Sequence, residues 1–449
     1  MKIVIVGCGK VGRTIAEQLN GEKHDIVVID SSEAVIERMN ETLDLMGIDG
    51  DGSSMAVLRE AGAENADLLI AVTDSDELNL YICLMANSLG SSNTIARVRK
   101  PIYHKDLGYN SKLRDSLGLA LMINPEMIAA LEMHRLIRVP AAIEVDTFAR
   151  GTVEIYTFRA SNQPALVGKK LRDIQFQKYG IRICCIERDD EVIIPNGEFV
   201  VAPDDMVSLI CRPKNYSKFF KKSAKAKDVM IIGGSRTAYY LADLLAGDSY
   251  RVKIIEKDPK RCMELSELLP SATILRGDGM NQDLLKAERI DEMDCVVTLT
   301  DLDEENIMLS LYVKQKTHAK CITKVDRIVF DNLVETLPLD SIIRPRELTA
   351  EHIVRYVRAV KNSMGSNVET LYKLNDGKTE ALEFNVAKDS AVVSKPLKDL
   401  KFIDNLQVAC ITRGAKVIIP NGNDTIEPGD KVIIVTTHTG LNDLDDILL

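Results

Sequence analysis

An α/β fold with two doubly wound parallel-sheet domains, each followed by a small α+β domain, is predicted by three observations. Apolar strand-like segments alternate with helical segments, as in parallel sheets covered by helices on both faces. A glycine-rich turn follows the first apolar strand and recurs midway along the chain, at Gly7 and at Gly233. The segments after each glycine turn recur in the same order, which indicates duplication of a whole unit.

The first unit begins with an apolar strand that runs directly into the glycine turn. In the helix that follows, Val11, Ile15, Ala16 and Leu19 fall on one face. Helical patterns separate the strand-like segments, and the predicted strands are residues 2–6, 26–29, 45–48, 68–72, 94–98 and 120–123. Near-continuous apolar strands are typical of a parallel sheet that is buried on both faces.

The second unit repeats the loop sequences of the first. Gly-Asp-Gly at residues 50–52 recurs at residues 277–279, and the Thr-Asp-x-Asp-Glu-x-Asn segment that starts at Thr73 recurs at Thr300. Such a constant spacing over a whole unit predicts two copies of one domain.

A smaller β-rich unit follows each copy, and both smaller units contain the turn Ile-Ile-Pro-Asn-Gly, at residues 193–197 and 418–422. Two Rossmann-like domains and two smaller domains are therefore predicted, in alternating order. The predicted segments are a first Rossmann-like domain (1–124), a connecting helix (125–141), a first C-terminal domain (142–215), a basic linker (216–227), a second Rossmann-like domain (228–350), a second connecting helix (351–367) and a second C-terminal domain (368–449).

The connecting segments have recognisable starts. Asn124 and Pro125 are typical of a helix N-cap and first turn, and Arg344-Pro345 stands at the corresponding place in the second half. Residues 218–227 are rich in lysine. This stretch is predicted to be a flexible, solvated linker; a docking strip for an acidic partner or for phosphate headgroups is the alternative.

Composition excludes several classes of protein. The chain has 449 residues, too many for one core, and a net charge of −10, which argues against nucleic acid as a partner. No apolar run approaches the roughly 20 residues that span a bilayer. The N-terminus enters the first strand at once, which leaves no room for a signal peptide, so a cytoplasmic location is expected.

The nine cysteines are predicted to be reduced thiols in the core, because several lie in apolar strands and none forms a Cys-x-x-Cys pair. The six histidines are scattered along the chain. A structural zinc site is therefore not predicted, and no metal ligand is assigned.

The first glycine turn has the pattern Gly7-x-Gly9-x-x-Gly12 between a strand and a helix. In such turns the first glycine permits the tight bend, the second lets a pyrophosphate approach the backbone, and the third lets helix and strand pack closely. The helix N-terminus supplies N–H groups and a positive dipole for the phosphates. Asp30 ends the next strand and can bind ribose hydroxyls while repelling a 2′-phosphate. NAD(H) is therefore favoured over NADP(H).

Four further residues are predicted to lie along the same crevice, because ligands bind at the carboxyl edge of such sheets. Asp51 follows the third strand, on the side where adenine would rest. Thr73 and Asp74 follow the fourth strand, and Arg97 on the fifth could neutralise phosphate charge.

The second glycine turn is altered. Gly233, Ser235 and Ala238 stand where Gly7, Gly9 and Gly12 stood. Ser235 brings a side chain towards the phosphate position, while Arg236, Glu256 and Lys324 supply charges around it. The residues leave three alternatives open for this site: ATP or ADP, NAD(H), or no ligand.

No catalytic residue is predicted. A dehydrogenase normally adds a substrate domain with a general acid or base beside the nicotinamide, and the small domains offer no such group of residues. The acidic residues Asp74, Asp76 and Glu77 are interpreted as the negatively charged start of a helix, and not as a cation site.

The intact glycine turn, the segment Val-Thr-Asp-Ser-Asp-Glu-Leu-Asn (72–79), the strand Ala-Arg-Val-Arg (96–99) and the small domains resemble regulator-of-potassium-conductance (RCK) domains. Doubled in one chain, they resemble the cytoplasmic regulatory subunits of bacterial and archaeal potassium-uptake systems. The resemblance covers essentially the whole chain.

The resemblance implies a non-enzymatic gating subunit. It implies a homo-oligomeric ring, usually of four chains, on the inner face of the cell membrane beneath a Trk-type potassium channel or transporter. It also implies NAD(H) at a first site formed by Gly7, Cys8, Gly9, Lys10, Val11, Asp30, Thr73, Asp74 and Arg97, to which the positions of Gly12 and Asp51 add these two residues. ATP or ADP, or again NAD(H), is implied at a second site formed by Gly233, Gly234, Ser235, Arg236, Thr237, Glu256 and Lys324.

Two other functions stay open at this point. An NAD-dependent oxidoreductase would share the glycine turn, and a regulator of a different cation transporter would share the whole architecture.

Overall fold

The computed structural model describes residues 1–22, 24–91, 93–103, 111–220, 227–326, 334, 336–362, 368–374, 378–441 and 443–449. These residues form two six-stranded parallel sheets and two five-stranded antiparallel sheets. Each parallel sheet is followed along the chain by one antiparallel sheet. The predicted fold class is therefore confirmed.

The first parallel sheet matches its predicted strands to within one residue at each end. Its strands are β1 Lys2–Val6, β2 Asp25–Asp30, β3 Met46–Asp49, β4 Leu68–Ala71, β5 Thr94–Arg97 and β6 Leu119–Ile123. The helices are α1 Lys10–Asn20, α2 Glu33–Thr42, α3 Met55–Glu60, α4 Asp76–Leu89 and α5 Ser111–Ser116. The spatial order β3-β2-β1-β4-β5-β6 reverses between β1 and β4, which places a ligand crevice at the carboxyl end of β1.

The connecting helix α6 Pro125–Arg138 leads into the first small domain. Asn124 caps it as predicted, because the Asn124 side chain accepts the Met127 N–H at 2.9 Å. The domain contains β7 Glu144–Phe148, β8 Val153–Arg159, β9 Ile181–Arg188, β10 Glu191–Ile193 and β11 Met206–Cys211, with helices α7 Phe176–Tyr179 and α8 Pro213–Phe219. Its sheet has the order β10-β9-β11-β8-β7.

The second half repeats both sheets. The parallel strands are β12 Asp228–Ile232, β13 Arg251–Glu256, β14 Thr273–Arg276, β15 Cys295–Thr298, β16 Lys320–Lys324 and β17 Ser341–Ile343, in the order β14-β13-β12-β15-β16-β17. The helices are α9 Arg236–Gly247, α10 Pro259–Leu268, α11 Gln282–Ala287, α12 Asp303–Lys316 and the connecting helix α13 Pro345–Asn362. The last sheet contains β18 Val368–Leu374, β19 Thr379–Asn385, β20 Leu406–Arg413, β21 Lys416–Ile418 and β22 Lys431–Thr436.

The two connecting helices cross over and pack against the opposite halves. Helix α6 packs against α9, and helix α13 packs against α1. Met133 of α6 shares a hydrophobic core with Leu241 of α9. Ile353 of α13 shares a core with Ile15 and the first sheet. Each connecting helix therefore fills the core of the half to which it does not belong in sequence.

A buried lysine attaches the end of α6 to the second sheet. Lys320 begins β16, is 9% exposed, and donates hydrogen bonds of 2.8, 3.3 and 2.6 Å to the carbonyl oxygens of Leu136, Val139 and Ala142. Burial lowers its pKa to about 8. These carbonyl groups lie at the negative end of the helix dipole, where a cation is stabilising.

The two small domains face each other through an apolar contact. One hydrophobic core contains Phe148 and Ile155 of the first small domain together with Ala381 and Val435 of the second. All nine cysteines are buried and carry free thiols, which agrees with the prediction that they are core residues.

The start of the predicted basic linker is not solvated. Tyr216 and Phe219 lie in α8, and Phe220 follows it; all three side chains are buried. Tyr216 stacks on Phe220 with ring centroids 4.2 Å apart. The aromatic residues between the lysines anchor this stretch on the first small domain, and residues 221–226 lie outside the described part of the chain.

None of the helices in the described part of the chain is both long enough and apolar enough to cross a membrane.

A cavity of about 880 Å³ separates the two halves beside the crossing helices. Glu132 and Asp146 line it from the first half, and Glu351 and Arg355 line it from the second. The Oδ2 atom of Asp146 is buried and has no hydrogen-bond partner among the described residues. Burial first, and then the neighbouring carboxylates Glu144, Glu132 and Glu351, raise the pKa of Asp146 well above its ordinary value.

Asp146→Asn is expected to stabilise the protein at pH 8. Because the pKa is raised in the folded state, ionisation of Asp146 costs stability as the pH rises from the unfolded value of about 4 towards the folded value. Asparagine cannot ionise, so we expect a gain of about 1–2 kcal/mol in the free energy of unfolding at pH 8, shrinking as the pH falls to 5.

Chemical denaturation at several pH values measures this effect. Asp204→Asn is a matched control, because the Asp204 side chain is 93% exposed. A gain for Asp146→Asn that is the same at pH 5 and pH 8 would contradict the assignment.

Candidate nucleotide-binding sites

Close backbone packing explains two glycines of the first turn. Gly7 has φ +94°, and its N–H donates to the Ile29 carbonyl at 2.8 Å. A Cβ on Gly7 would lie 2.8 Å from the Thr73 nitrogen, and a Cβ on Gly12 would lie 1.9 Å from the Gly7 oxygen. Both positions therefore require glycine for the fold itself.

Gly9 differs, because the space beside it is open. A Cβ at Gly9 would meet no protein atom within 4 Å. Gly9 is also the N-cap of α1, and no side chain caps this helix. The first N–H groups of a helix have no partner within it, so this open end can receive a phosphate. Lys10 is exposed here, whereas Val11 is half-buried.

Asp30 joins the glycine turn to the start of α2. Its Oδ2 atom accepts the Cys8 N–H at 2.7 Å, and its Oδ1 atom accepts the Ser32 N–H at 3.0 Å. An ionised carboxylate has about four acceptor positions, so two bonds leave capacity for ribose hydroxyls. The structure thus places Asp30 beside the turn, as the sequence predicted.

Cys8 contributes its backbone and not its thiol. The side chain is buried, and burial followed by the charge of Asp30 raises its pKa to about 12. The thiol is therefore a core group, and only the Cys8 N–H takes part in the turn.

Asp51 lies exposed on the loop after β3. Its Oδ1 atom accepts from both the N–H and the hydroxyl of Ser53, each at 2.8 Å, and these bonds lower its pKa. The neighbouring Gly52 packs over the end of β1, where a Cβ would lie 2.2 Å from a Val6 methyl group. This close contact brings the Asp51 loop to the carboxyl edge of β1.

Asn79 shapes the loop after β4, and the sequence argument did not assign it. The Thr73 N–H and hydroxyl donate to its Oδ1 atom at 2.8 and 2.7 Å. Its Nδ2 atom donates to the carbonyls of Thr73 and Arg97 at 3.1 and 2.9 Å. Asn306 makes three of these four contacts in the second half, where the Thr300 hydroxyl donates instead to the Leu302 carbonyl. The sequence could have pointed to both residues, because each copy of the repeated Thr-Asp-x-Asp-Glu-x-Asn segment ends in asparagine.

Arg97 is mostly buried and bonds to the loop after β4. Its side chain is 9% exposed, and its guanidinium donates to the Thr73 carbonyl at 2.8 Å and to Asp74 at 3.1 Å. Burial lowers its pKa. The residue predicted to neutralise phosphate is thus used to hold the Thr73–Asp74 loop, while the Asp74 carboxylate is fully exposed.

The acidic residues after Thr73 form a helix start, as interpreted from the sequence. Ser75 caps α4 by accepting the Leu78 N–H at 3.2 Å. Asp76 is buried and accepts the N–H groups of Arg99 and Lys100 at 2.9 and 2.8 Å. In the described ranges no group of three or more metal-binding side chains could hold an ion.

The second turn keeps the backbone geometry of the first. Gly233 has φ +104°, and its N–H donates to the Ile255 carbonyl at 2.8 Å. Glu256 takes the place of Asp30, because it accepts the Gly234 N–H at 2.6 Å and the Asp258 N–H at 2.7 Å. The altered sequence therefore folds into the same turn.

The start of α9 is closed by side chains of the protein. The Ser235 hydroxyl accepts the Ala238 N–H at 3.3 Å, whereas no side chain caps the matching helix at Gly9. Arg261 donates to the carbonyls of Gly234 and Ser235 at 2.6 and 3.3 Å. Sequence reasoning missed Arg261, although it matches Val35 in the first copy and so adds a positive charge.

The remaining residues of the second site take different positions. Arg236 is exposed at the first position of α9, and Thr237 beside it is buried. Lys324 ends β16 with a half-buried side chain, and its carbonyl accepts from Asn306 at 3.1 Å. The second site therefore has an additional arginine, Arg261, which also pairs with Glu264 at 2.7 Å, and it is less open at the helix start.

Comparison with known proteins gives a consistent result over the whole chain. Residues 3–125 and 229–345 match the model of the TrkA-N domain, and residues 155–224 and 381–449 match the TrkA-C domain. The Trk system potassium uptake protein TrkA homolog 1 of Methanosarcina mazei is 33% identical, over 99% of each chain. Trk system potassium uptake protein TrkA of Haemophilus influenzae is 33% identical, over 97% of this chain and 95% of that protein.

Solved structures with the same fold include two of the GsuK protein. The GsuK RCK domain aligns with a TM-score of 0.63 and 17% identity, covering 97% of this chain and 92% of that chain. The GsuK channel bound to NAD aligns with a TM-score of 0.64 and 17% identity, covering 97% and 76%. With both domain pairs matched and relatives 33% identical over nearly the full length, the chain belongs to the TrkA family of Trk-system potassium uptake proteins.

Proposed function

We propose that this protein is a nucleotide-sensing regulatory subunit that gates a Trk-type potassium channel or transporter. One observation carries the proposal: an open phosphate-binding turn at Gly9 lies at the start of α1, and α1 packs against the connecting helix of the other half. The names of the relatives support potassium transport as the process. The fold is shared with a channel that was solved with NAD.

NAD(H) is the ligand that we assign to the first site. The pyrophosphate lies at the backbone of Gly7–Gly12 and the start of α1, and Asp30 holds the adenosine ribose. Asp51, Thr73 and Asp74 border the crevice, while Arg97 supports it from behind. A carboxylate at position 30 disfavours a 2′-phosphate, so the site selects NAD(H) over NADP(H).

The second site is assigned to ATP or ADP. Arg236, Arg261 and Lys324 suit a ligand with more negative charge than NAD(H). A ligand at this site displaces the bond between Ser235 and Ala238, because its phosphate takes the same N–H. A structure of GsuK bound to ADP, which aligns with a TM-score of 0.51, supports a nucleotide of this class.

The two connecting helices α6 and α13 couple nucleotide binding to the arrangement of the two halves of the chain. A ligand gates a channel only if it binds one arrangement of the halves more tightly than another. A tenfold preference amounts to about 1.4 kcal/mol per site, and several sites in one assembly act together. A ligand at the start of α1 acts on α13, and a ligand at the start of α9 acts on α6, because these helices are in direct contact.

The proposed assembly is a homo-oligomeric ring, of four chains, on the cytoplasmic face of the membrane beneath the membrane subunit. The proposed role is regulatory and not enzymatic. The site residues bind and orient a nucleotide, and none is assigned a catalytic step.

Potassium flux tests the proposal directly. The membrane subunit of the Trk system from the same organism is reconstituted in vesicles with this protein, and flux is measured with NADH, NAD, ATP and ADP. We expect at least one nucleotide to change the flux only when this protein is present. Flux that is indifferent to all four would overturn the proposal, and steady consumption of NADH would favour the oxidoreductase.

Gly9→Ala is expected to lose NADH binding, whereas Gly12→Ala is expected to lose stability. A Cβ at Gly9 meets open space, so Gly9→Ala should fold with a stability within about 1 kcal/mol of the wild type but bind NADH poorly. A Cβ at Gly12 overlaps the Gly7 carbonyl, so this variant should lose about 2–4 kcal/mol of stability. Thermal unfolding and NADH fluorescence measure the two effects; normal NADH affinity in folded Gly9→Ala would be the contrary result.

Asp30→Ala is expected to weaken NAD(H) binding at least roughly tenfold, because it removes charge-assisted hydrogen bonds to the ribose. Asp25→Ala at the exposed start of the same strand is the control. Isothermal titration measures both, and unchanged affinity would remove Asp30 from the site.

A further inference from the structure

The second half of the chain touches the edge of the first nucleotide site. Helix α9 begins at the second glycine turn, and Tyr240 lies about one turn along it. Tyr240 is 4% exposed. Its hydroxyl donates to the Arg99 carbonyl at 3.1 Å and accepts from Asn124 Nδ2 at 3.0 Å.

Both partners of Tyr240 lie at the carboxyl edge of the first sheet. Arg99 follows β5, and Asn124 follows β6. A dinucleotide in this fold lies across that edge, with one mononucleotide half on each side of the point where the strand order reverses. Asp30 marks the adenosine half at β2. The strands β4, β5 and β6 therefore border the half of the crevice that receives the second nucleotide.

The backbone N–H, the backbone carbonyl and the side chain of Arg99 are all hydrogen-bonded. Its N–H donates to Asp76 at 2.9 Å, and its guanidinium bonds to Glu126 at 2.6 Å. Its carbonyl accepts from the Tyr240 hydroxyl at 3.1 Å and accepts a longer, weaker bond from Asn124 Nδ2 at 3.5 Å. Removal of the hydroxyl leaves the carbonyl with the longer bond alone, so Tyr240 helps to hold this loop in place, together with Asp76 and Glu126.

The contact has no counterpart at the second site among the residues that the structure describes. Thr14 of α1 matches Tyr240 of α9, and its hydroxyl donates to the Lys10 carbonyl within its own helix at 3.1 Å. In the described part of the chain the two halves are thus joined asymmetrically at this place.

We propose that Tyr240 is a positioning residue of the first site, and that it sets the preference of this site for a dinucleotide over a mononucleotide. The inference rests on the proposed NAD(H) site. The nicotinamide riboside half of NADH contacts the loop that Tyr240 holds, whereas ADP ends before it. Relative movement of the two halves then changes the affinity for NADH and leaves that for ADP unchanged.

Tyr240→Phe tests this in the full-length protein. NADH affinity is measured by the fluorescence of the bound nucleotide, and ADP affinity at the same site by displacement of NADH. We expect the NADH dissociation constant to rise roughly tenfold, as for the loss of one buried hydrogen bond, with ADP affinity within about twofold of the wild type. Tyr239→Phe, at the adjacent half-buried tyrosine, is the matched control and should change neither value.

Each outcome separates this inference from the proposed function. Wild-type protein that does not bind NADH would defeat the proposed NAD(H) site, on which this inference rests. Tyr240→Phe with normal NADH affinity would defeat only the role of Tyr240. Equal losses of NADH and ADP affinity, with a lower midpoint of thermal unfolding, would mean that Tyr240 supports only the fold. If ADP failed to displace NADH, the two nucleotides would not share one crevice, which would contradict the inference.

Discussion

The exchange of connecting helices is the interaction on which the rest of the structure depends. Helices α6 and α13 bury their apolar faces against α9 and α1, the helices that begin at the two glycine turns. Neither Rossmann-like domain has a complete core without a helix from the other half. The two halves therefore form one folding and mechanical unit, and any ligand that moves α1 or α9 acts on the contact between them.

The duplication produced two sites with the same backbone and different chemistry. Both turns have a left-handed glycine and a carboxylate that accepts the next N–H, at Asp30 and at Glu256. Gly9 leaves the first helix start open, whereas Ser235 and Arg261 occupy the second. In the proposed function, one chain carries one site for NAD(H) and one for a more highly charged nucleotide. A sensor of this kind can compare two signals.

The nucleotide turn could be predicted because its requirements are local. Gly7, Gly9, Gly12 and Asp30 are close in sequence or end adjacent strands, so their spacing alone brings them together. The burial of Arg97 could not be predicted, because it depends on a loop that Asn79 folds over the guanidinium. An arginine at the end of a strand gives the same sequence pattern whether its side chain contacts a ligand or holds a neighbouring loop.

Sequence alone determined the order of the domains, the parallel sheets, the glycine turns and the carboxylate that ends the strand beside the first turn. These features follow from hydrophobic periodicity and from residues a few positions apart. Only the tertiary structure decided which half each connecting helix packs against, that aromatic side chains bury the start of the lysine-rich segment, and that Tyr240 reaches Arg99. The helix contacts and the Tyr240 contact join residues more than a hundred positions apart. No local pattern distinguishes packing within one half from packing across the two.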